Sequence, residues 1–327
     1  MCGPILVDER TRDRIAAYRG TRHQVTESPF GPADEIGMLN LIGPDTSREL
    51  LAAADGGRIF DLAVDMFVGM PTWIAGGEPP FQIWMTHTPS GTVVDDPVGV
   101  GRDQNELVGW SADSISMFTH CGTHLDTLNH YGYGRRIWNG YSADDHLGSL
   151  HWTVAGAERH PPIVARGLLI DVARVLDTEV LPDSYGIGEK DLRAALSAHG
   201  TSVSPGDVVL IRTGRMSLWP DPNRFLPREP GLTREGAEFL ARSGAIVVGA
   251  DNIALERLPS PDPGNWMPVH TYLLAEAGIP IMEVVDLEEL AAEECYEFAF
   301  VAAGLKLRGA TAAPMRPLAM PLKRESA

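Results

Sequence analysis

The chain is poor in cysteine and in basic residues, and both shortages exclude classes of protein. Its 327 residues include three cysteines, Cys2, Cys121 and Cys295, with no CxxC pair. Such a sparse, odd set predicts reduced thiols and no disulfide framework. Lys and Arg number 27 against 44 Asp and Glu, for a formal charge of -17. A net negative chain repels nucleic-acid phosphates and anionic membrane surfaces, so we expect neither as a partner.

Long apolar runs and several well-known motifs are also missing. The longest apolar stretches, such as AIVVGA and FAFVAAGL, are far shorter than the roughly 20 residues that cross a bilayer. The opening MCGPILVDER meets charge too early for a secretory signal, so we expect a cytoplasmic protein. There is no GxGxxG, GxxxxGK[ST] or GxSxG motif. The sequence therefore lacks the usual signals of nucleotide binding and of a serine nucleophile.

Predicted strands and helices alternate along most of the chain. Strand-like segments are expected at 58–71, 114–120, 167–172, 207–213, 245–251, 279–285 and 296–307. Helical patterns with start or stop signals are expected at 188–200, 232–244, 268–278 and 286–294. This alternation predicts an α/β fold. We expect residues 1–57 to form a helical and irregular lead packed on the core, and residues 58–327 to form a single domain.

Three of the ten histidines fall within the segment HCGTHLDTLNH, residues 120–130. His124 and Asp126 are two residues apart, which places both on one side of an extended segment. Gly122 allows a close backbone turn that brings His120 beside them. Imidazole and carboxylate ligands without thiolate are typical of a catalytic Zn²⁺ or Mn²⁺ site. The alternative at this point is a group of hydrogen-bonded core histidines.

The same segment resembles the HxGTHxDxxxH hallmark of the cyclase family of metal-dependent hydrolases, which includes bacterial kynurenine formamidase and isatin hydrolase. Every fixed position matches, and similarity extends over roughly residues 34–320, including GADNIALE at 249–256 and GATAAPMRPLAM at 309–320. The DEIGMLNLI lead resembles the longer branch of the family. The resemblance implies a swivelling β/β/α domain of the kynurenine formamidase (cyclase) type, with a mixed sheet and flanking helices. It also implies a homodimer or homotetramer.

The resemblance assigns roles to six residues of the candidate metal site. His120, His124 and Asp126 match the first metal ligands, His130 the proton-transferring histidine, and His270 and Glu283 the two positions that complete a second metal site. One or two divalent ions per chain, Zn²⁺ or Mn²⁺, are therefore implied. In relatives with one metal, Glu283 would instead support a ligand or the substrate.

Five further residues are weighed between a functional and a structural role. The loop PTWIAGGEPPF resembles the family segment that places an aromatic ring over the substrate, which assigns that role to Trp73 and, beside it, Phe81; packing in the core is the alternative. Asp251 and Glu256 follow a predicted strand, where a capping role is expected. Cys121, between the histidines, is expected to be a small buried filler rather than a ligand.

The implied function is hydrolysis of an amide, lactam, imide or lactone/ester bond in a small molecule, by metal-activated water with His130 as general acid/base. One alternative is a metal-dependent lyase or cyclase acting on a small carbonyl compound, because the same metal also stabilises an enolate. Another is a non-catalytic metal-binding relative. His130 favours catalysis, since a binding scaffold needs ligands but no additional base.

Overall fold

A computed structural model of the chain describes residues 24–74 and 76–323. The first 23 residues of the predicted lead lie outside the described part. In chain order, the strands are β1 (Phe60–Asp61), β2 (Gln82–His87), β3 (Ala112–Ser116), β4 (His124–Asp126), β5 (Ile163–Asp171), β6 (Gly186–Ile187), β7 (Val208–Arg212), β8 (Gly231–Leu232), β9 (Val247–Ala250), β10 (Ile281–Glu283), β11 (Glu297–Ala302), β12 (Ala312–Pro314) and β13 (Leu318–Pro321).

The helices are α1 (Pro44–Ala53), α2 (Pro89–Asp95), α3 (Arg102–Leu107), α4 (Ala143–His146), α5 (Val172–Val175), α6 (Glu189–His199), α7 (Pro222–Phe225), α8 (Arg234–Ser243), α9 (Pro268–His270) and α10 (Glu288–Ala292). A π-helical segment, Thr271–Glu276, continues α9, and 3₁₀ turns occupy Gly37–Leu41, Trp138–Gly140, Ala157–Arg159 and Arg215–Leu218. No helix in the described ranges is long and apolar enough to cross a membrane.

Nine strands form one mixed sheet in the order β1-β13-β11-β5-β7-β9-β10-β4-β12. Its centre, from β5 to β10, is parallel, and the remaining pairs are antiparallel. The parallel strands are rich in Val, Ile and Leu and are almost entirely buried, as expected of a sheet covered on both faces. The predicted mixed α/β fold with flanking helices is confirmed.

Helices α6 and α8 cover the sheet with one apolar face each. The buried residues of α8 include Ala237, Phe239 and Leu240, which recur at the spacing of a single helical face. Each helix ends at a glycine in the left-handed region, Gly200 and Gly244, where a residue with a side chain would be strained. Both ends fall where the sequence predicts them.

Two predicted strands differ from the structure. In the segment predicted at 58–71, only β1 is a strand. It pairs at the sheet edge, whereas the Val64 amide donates to the Thr123 hydroxyl instead of to a neighbouring strand. In the segment predicted at 114–120, β3 ends at Ser116 and pairs with β2 in a separate ribbon. An irregular segment, and not a strand, therefore delivers His120.

The described part of the lead packs on the core through contacts that include two hydrogen bonds near Gly278 and Trp138. The Met38 amide donates to the Gly278 carbonyl at 2.8 Å, and the buried indole of Trp138 donates to Asp34 at 2.9 Å. A Cβ at Gly278 would lie 2.5 Å from ring carbons of Trp138, and its φ is +63°. The lead therefore packs against a contact between Gly278 and Trp138 that leaves no room for an added methyl group.

We predict that Gly278→Ala lowers the free energy of unfolding by roughly 3 kcal/mol or more, because it combines left-handed strain with overpacking. Gly200→Ala is the matched control: its φ is +68° but a Cβ there meets no atom within 4 Å, so we expect a loss of about 1 kcal/mol from strain alone. Urea titrations of both variants give the comparison. Equal losses of unfolding free energy in the two variants would contradict close packing between Gly278 and Trp138.

Candidate metal centre and cavity

Strand pairing places the central carboxylates and one imidazole on one face of the sheet. In β4, His124 and Asp126 flank Leu125 and therefore point to the same side. The antiparallel partner β10 sets Glu283 directly opposite His124, and opposite residues share a face. The spacing in the sequence predicts that His124 and Asp126 share a face, and the register of β4 and β10 adds Glu283 to that face.

Four side chains converge there at ligand-like separations. Nε2 of His124 is 3.3 Å from Oδ1 of Asp126 and 3.2 Å from Oε2 of Glu283. Nε2 of His270, on α9, is 3.3 Å from Oε1 of Glu283 and 3.7 Å from Oδ2 of Asp126. The ligand atoms of His124, Asp126 and Glu283 all lie within 4.8 Å of one another.

A second group of donors shares Asp126. Nδ1 of His120 lies 2.6 Å from Oδ1 of Asp126, and Nε2 of His130 lies 3.8 Å from Oδ2. The His120 and His130 rings have centroids 3.9 Å apart. Their ligand atoms and that of Asp126 also lie within 4.8 Å of one another. The geometry therefore permits His130 to act as a ligand as well as a proton carrier.

Hydrogen bonds on the far side of the rings orient two of these histidines. Nδ1 of His124 lies 2.8 Å from the Gly122 carbonyl oxygen. Because a carbonyl only accepts, Nδ1 carries a proton, and Nε2 is the ring nitrogen that faces the carboxylates. Nε2 of His120 contacts the Thr311 hydroxyl at 2.9 Å, which leaves Nδ1 facing Asp126.

The cluster has the charge and the free donor atoms that a divalent cation requires. His124, Asp126, His270 and Glu283 are buried. Nε2 of His124, both carboxylate oxygens of Asp126 and Oε1 of Glu283 have no hydrogen-bond partner among the described residues. Buried polar atoms are normally paired, so this concentration of free nitrogen and oxygen donors fits a Zn²⁺ or Mn²⁺ ion.

The titration behaviour of the cluster points the same way. Burial by itself lowers the pKa of His124, but the neighbouring Asp126 and Glu283 carboxylates outweigh it and raise the pKa to about 10. Burial also lowers the pKa of His270, but the Glu256 and Glu283 carboxylates outweigh burial and raise this pKa to about 10. The carboxylates thus favour positive charge at these nitrogens.

The pKa values of two members of the second group, His130 and Asp126, shift in the other direction. Burial, followed by the charge of His120, holds the pKa of His130 well below its usual value. Burial raises the pKa of Asp126, but the His120 and His130 charges outweigh it and hold that pKa well below the usual range. The site therefore contains an ionised carboxylate beside an imidazole that resists protonation.

The polar residues between the histidines of the motif tie it to neighbouring segments. Thr123 donates to the Val284 carbonyl at 2.6 Å, just beyond Glu283. Thr127 donates to the Ala310 carbonyl, and Asn129 to the Gly309 carbonyl. The closing segment around 309–311 is thereby held against the histidines, which explains why these residue types stand between them.

Glu256 is a functional candidate that the sequence interpretation treats only as a cap. Its Oε1 accepts from the His270 amide at 2.9 Å and lies 2.8 Å from His270 Nδ1, and its Oε2 accepts from the Val269 amide. It therefore both caps α9 and fixes the tautomer that turns Nε2 of His270 toward Asp126 and Glu283. Asp251 has the expected capping role alone, accepting backbone amides of residues 213–215.

A cavity of about 330 Å³ opens over the cluster. It is lined by Trp73, Gly76, Glu78, Phe118, His120, His130, Tyr131, Ile253, Ala254, Trp266, Met267, His270 and Glu283. Most of its wall is aromatic or apolar, with polar groups concentrated at the histidines, as in small-molecule sites generally.

Of the two aromatic residues predicted to cover the substrate, Trp73 lines the cavity and Phe81 does not. Phe81 is buried in a cluster with Met70 and Cys121, so apolar packing determines its position. Cys121 is the buried filler that the sequence predicts: desolvation raises the pKa of its thiol to about 11, which disfavours the thiolate that a ligand or nucleophile needs.

Sequence reasoning overlooks four aromatic or acidic residues of the wall. Phe118 lies two residues before the motif and Tyr131 one residue after it, and that adjacency is a usable signal. Trp266 and Glu78 lie in Pro- and Gly-rich loops, where composition indicates exposure but does not show which loop reaches the site.

Comparison with known proteins agrees with this fold. The Cyclase family model matches residues 60–257, and the chain belongs to the cyclase family. A crystal structure described as a novel cyclase is 29% identical, with a TM-score of 0.81 over 92% of this chain and 100% of that one. No curated protein sequence matches.

Two more distant structures share the fold. Isatin hydrolase A from Ralstonia solanacearum is 23% identical, with a TM-score of 0.62 over 81% of this chain and 92% of its own. A potential metal-dependent hydrolase with cyclase activity is 21% identical, with a TM-score of 0.52 over 80% of this chain and 98% of its own. The swivelling β/β/α domain expected for the family is therefore the fold of this chain.

We predict that Glu256→Ala weakens Zn²⁺ binding by roughly 10- to 100-fold, the usual effect of removing a carboxylate that orients a metal-ligating histidine. Glu256→Gln should lose less, because its amide oxygen still accepts from Nδ1. Competition with a chromophoric chelator measures the affinity, and ¹⁵N NMR of the His270 ring reports the tautomer.

Asp251→Asn is the control for loss of a buried acid that caps backbone amides. We expect it to lower the melting temperature while leaving Zn²⁺ affinity unchanged. Unchanged affinity in Glu256→Ala, or an equal loss in Asp251→Asn, would show that Glu256 has a structural role only.

Proposed function

We propose that this protein is a metal-dependent hydrolase that cleaves an amide, lactam, imide or lactone/ester bond of a small molecule. The observation that carries the proposal is a set of buried imidazole and carboxylate donors, without hydrogen-bond partners among the residues that the structure describes, at the base of an aromatic cavity. His120, His124, Asp126, His270 and Glu283 would hold one or two ions. A Zn²⁺ or Mn²⁺ ion bound there would polarise a carbonyl and lower the pKa of water.

The chain supplies a proton carrier beside that donor set. The His130 side chain is 21% exposed and lines the cavity, while Asp126 beneath it is fully buried. In acyl hydrolysis the water oxygen bonds to the carbonyl carbon, the bond from that carbon to nitrogen or oxygen breaks, and the departing atom needs a proton. We assign His130 the transfer of that proton from water to the leaving group.

The cavity wall supports a role for Trp73 in positioning the substrate. Trp73 and Phe118 line the cavity along with Tyr131, so an aromatic or planar substrate can lie against their rings. Such contact orients the carbonyl toward the donor set and excludes water from the space around it. We therefore assign Trp73, and not Phe81, to the face of the substrate.

The names of structural neighbours support hydrolysis, and some of them also support lyase or cyclisation chemistry as an alternative. Isatin hydrolase shares the fold, and its name describes hydrolysis of isatin. Two other neighbours carry the word cyclase in their descriptions, which favours lyase or cyclisation chemistry as the second candidate. A panel of formamides, lactams, cyclic imides and lactones, assayed with Zn²⁺ or Mn²⁺, separates the two because only hydrolysis yields a free carboxylate.

The ribbon of β2 and β3, with α2 and α3 between them, supports a homo-oligomer. A two-stranded ribbon alone is at best marginally stable in water, yet Trp84 is 50% exposed, Val94 81% and Leu107 77%. An apolar arm of this kind is typical of an interaction surface. We propose that a second copy of the chain covers it in a homodimer or homotetramer.

We predict that His124→Ala loses bound metal, because Nε2 of His124 faces Asp126 and Glu283 in the buried donor set. His130→Ala should retain the fold and the metal stoichiometry and lose on the order of 10² to 10⁴ in kcat, the usual effect of removing a positioned acid or base. Elemental analysis and turnover are measured on both variants. Equal loss of metal in the two would make His130 a ligand and assign the proton to another group.

We predict that the wild-type protein is a dimer or tetramer by light scattering, and that the double variant Val94→Asp/Leu107→Asp shifts toward monomer, because charges on the arm would be buried at the contact. Leu150→Asp, an exposed leucine outside the arm, is the control and should not change the mass. A wild-type monomer at micromolar concentration would refute the proposal.

A further inference from the structure

The segment 252–258 contributes both to the cavity and to the candidate metal centre. Ala254 lines the cavity, and the Glu256 carboxylate lies 2.8 Å from Nδ1 of His270. Leu255 lies between these two residues with its backbone in the left-handed region, at a φ of +51°. A leucine in that conformation is strained, and such strain persists only where neighbouring groups fix the backbone. The segment therefore depends on contacts that hold it in place.

A neighbouring segment, residues 229–232, supplies such contacts. The Pro230 carbonyl accepts from the Asn252 side-chain amide at 2.7 Å, and the Leu232 amide donates to the Leu255 carbonyl at 2.9 Å. The two segments run parallel where Leu232 lies beside the residue after Leu255. The strained turn is thus hydrogen-bonded to segment 229–232 both before Leu255 and at Leu255 itself.

Glu229 holds the turn on both sides. Oε2 of its side chain accepts from the Ile253 amide at 3.0 Å, and its backbone carbonyl accepts from the Leu258 amide at 3.0 Å. Ile253 lines the cavity, whereas Glu229 is fully buried and is not part of the cavity lining. Glu229 therefore fixes the segment from inside the protein, on the side away from the cavity.

The segment uses an acceptor atom of Glu229 and not its charge. Burial raises the pKa of Glu229 well above its usual range, and the charge of Arg215 opposes this shift without cancelling it. Oε1 has no hydrogen-bond partner among the described residues, whereas Oε2 accepts from Ile253. Glutamine keeps the length of the side chain and one acceptor oxygen. Aspartate is one methylene shorter and withdraws the acceptor from the amide.

We propose that Glu229 is a positioning residue of the candidate metal centre, and that it acts through segment 252–258 on Glu256 and thereby on the ring of His270. When the bond to Ile253 is lost, the strained turn can relax, and the Glu256 carboxylate then no longer fixes Nδ1 of His270. The inference rests on the metal centre of the proposed function, but it does not depend on which bond the enzyme cleaves.

A double-mutant cycle on Zn²⁺ affinity tests this inference. The dissociation constant of Zn²⁺ is measured by chelator competition for the wild type, Glu229→Asp, Glu256→Ala and the double variant. We expect Glu229→Asp to weaken Zn²⁺ binding by roughly 3- to 10-fold, less than Glu256→Ala, because it acts one contact further from the ligand. The double variant should bind Zn²⁺ as Glu256→Ala does, since no carboxylate is left to position. Glu229→Gln should retain the wild-type affinity.

Asp207→Ala is the matched control, because Asp207 is another buried acid that accepts a backbone amide, that of Ser204, directly before β7. We expect it to lower the melting temperature and to leave Zn²⁺ affinity unchanged. Exchange of the His270 Nδ1 proton, followed by ¹H NMR on the Zn²⁺-loaded protein, should become faster in Glu229→Asp and not in the control.

Additive losses of affinity in the double variant, wild-type affinity in Glu229→Asp, or a loss in Glu229→Gln as large as in Glu229→Asp would overturn the proposal. Glu229→Gln also decides if Glu229→Asp does not fold, since weaker Zn²⁺ binding in that variant contradicts a role for the acceptor atom. If Glu256→Ala itself leaves the affinity unchanged, the orientation of His270 by Glu256 fails as well. Because no turnover is measured, the proposed hydrolysis is tested separately.

Discussion

Burial of carboxylates and imidazoles around Asp126 is the constraint on which the rest of the structure depends. Moving an ionised carboxylate out of water costs several kcal/mol even after relaxation, and Asp126 and Glu283 are both buried. Nearby imidazoles compensate in part, but four donor atoms of the cluster have no hydrogen-bond partner in the described part of the chain. A buried cluster of this kind is stable with positive charge at its centre, and a divalent ion supplies that charge with ligand types that suit it.

The surrounding fold serves to keep those donors in place. The β4–β10 pair sets His124, Asp126 and Glu283 on one face, and Glu256 fixes the ring of His270 from behind. The π-helical segment that follows α9 is a rare form that frequently lies at functional sites. The register of β4 and β10, the Glu256 cap of α9 and the closing segment around 309–311 all position the same few side chains. A change in any of these features should therefore alter the geometry of the candidate metal centre.

The local part of this arrangement could be predicted from the sequence, and the non-local part could not. His124 and Asp126 are two residues apart, and because side chains alternate along a strand, this spacing predicts that both lie on one face. Helices α6 and α8 end at the glycines that predict their ends in the sequence. The juxtaposition of Glu283 with His124 depends on the antiparallel register of β10, which no local pattern specifies. Family resemblance, and not periodicity, identified that residue and His270. Phe81 shows a limit of the family resemblance. It belongs to the same loop as Trp73, yet Trp73 lines the cavity and Phe81 is buried in an apolar cluster.

Anomalous X-ray scattering from crystals grown with Zn²⁺ or Mn²⁺ tests the central claim most directly. The account predicts one or two anomalous peaks in contact with the Asp126 carboxylate, one of them also contacting Nε2 of His124 and the Glu283 carboxylate, and a cavity above them bounded by Trp73 and His130. Crystals of folded protein with no peak at Asp126, or with metal bound only at surface residues, would contradict it.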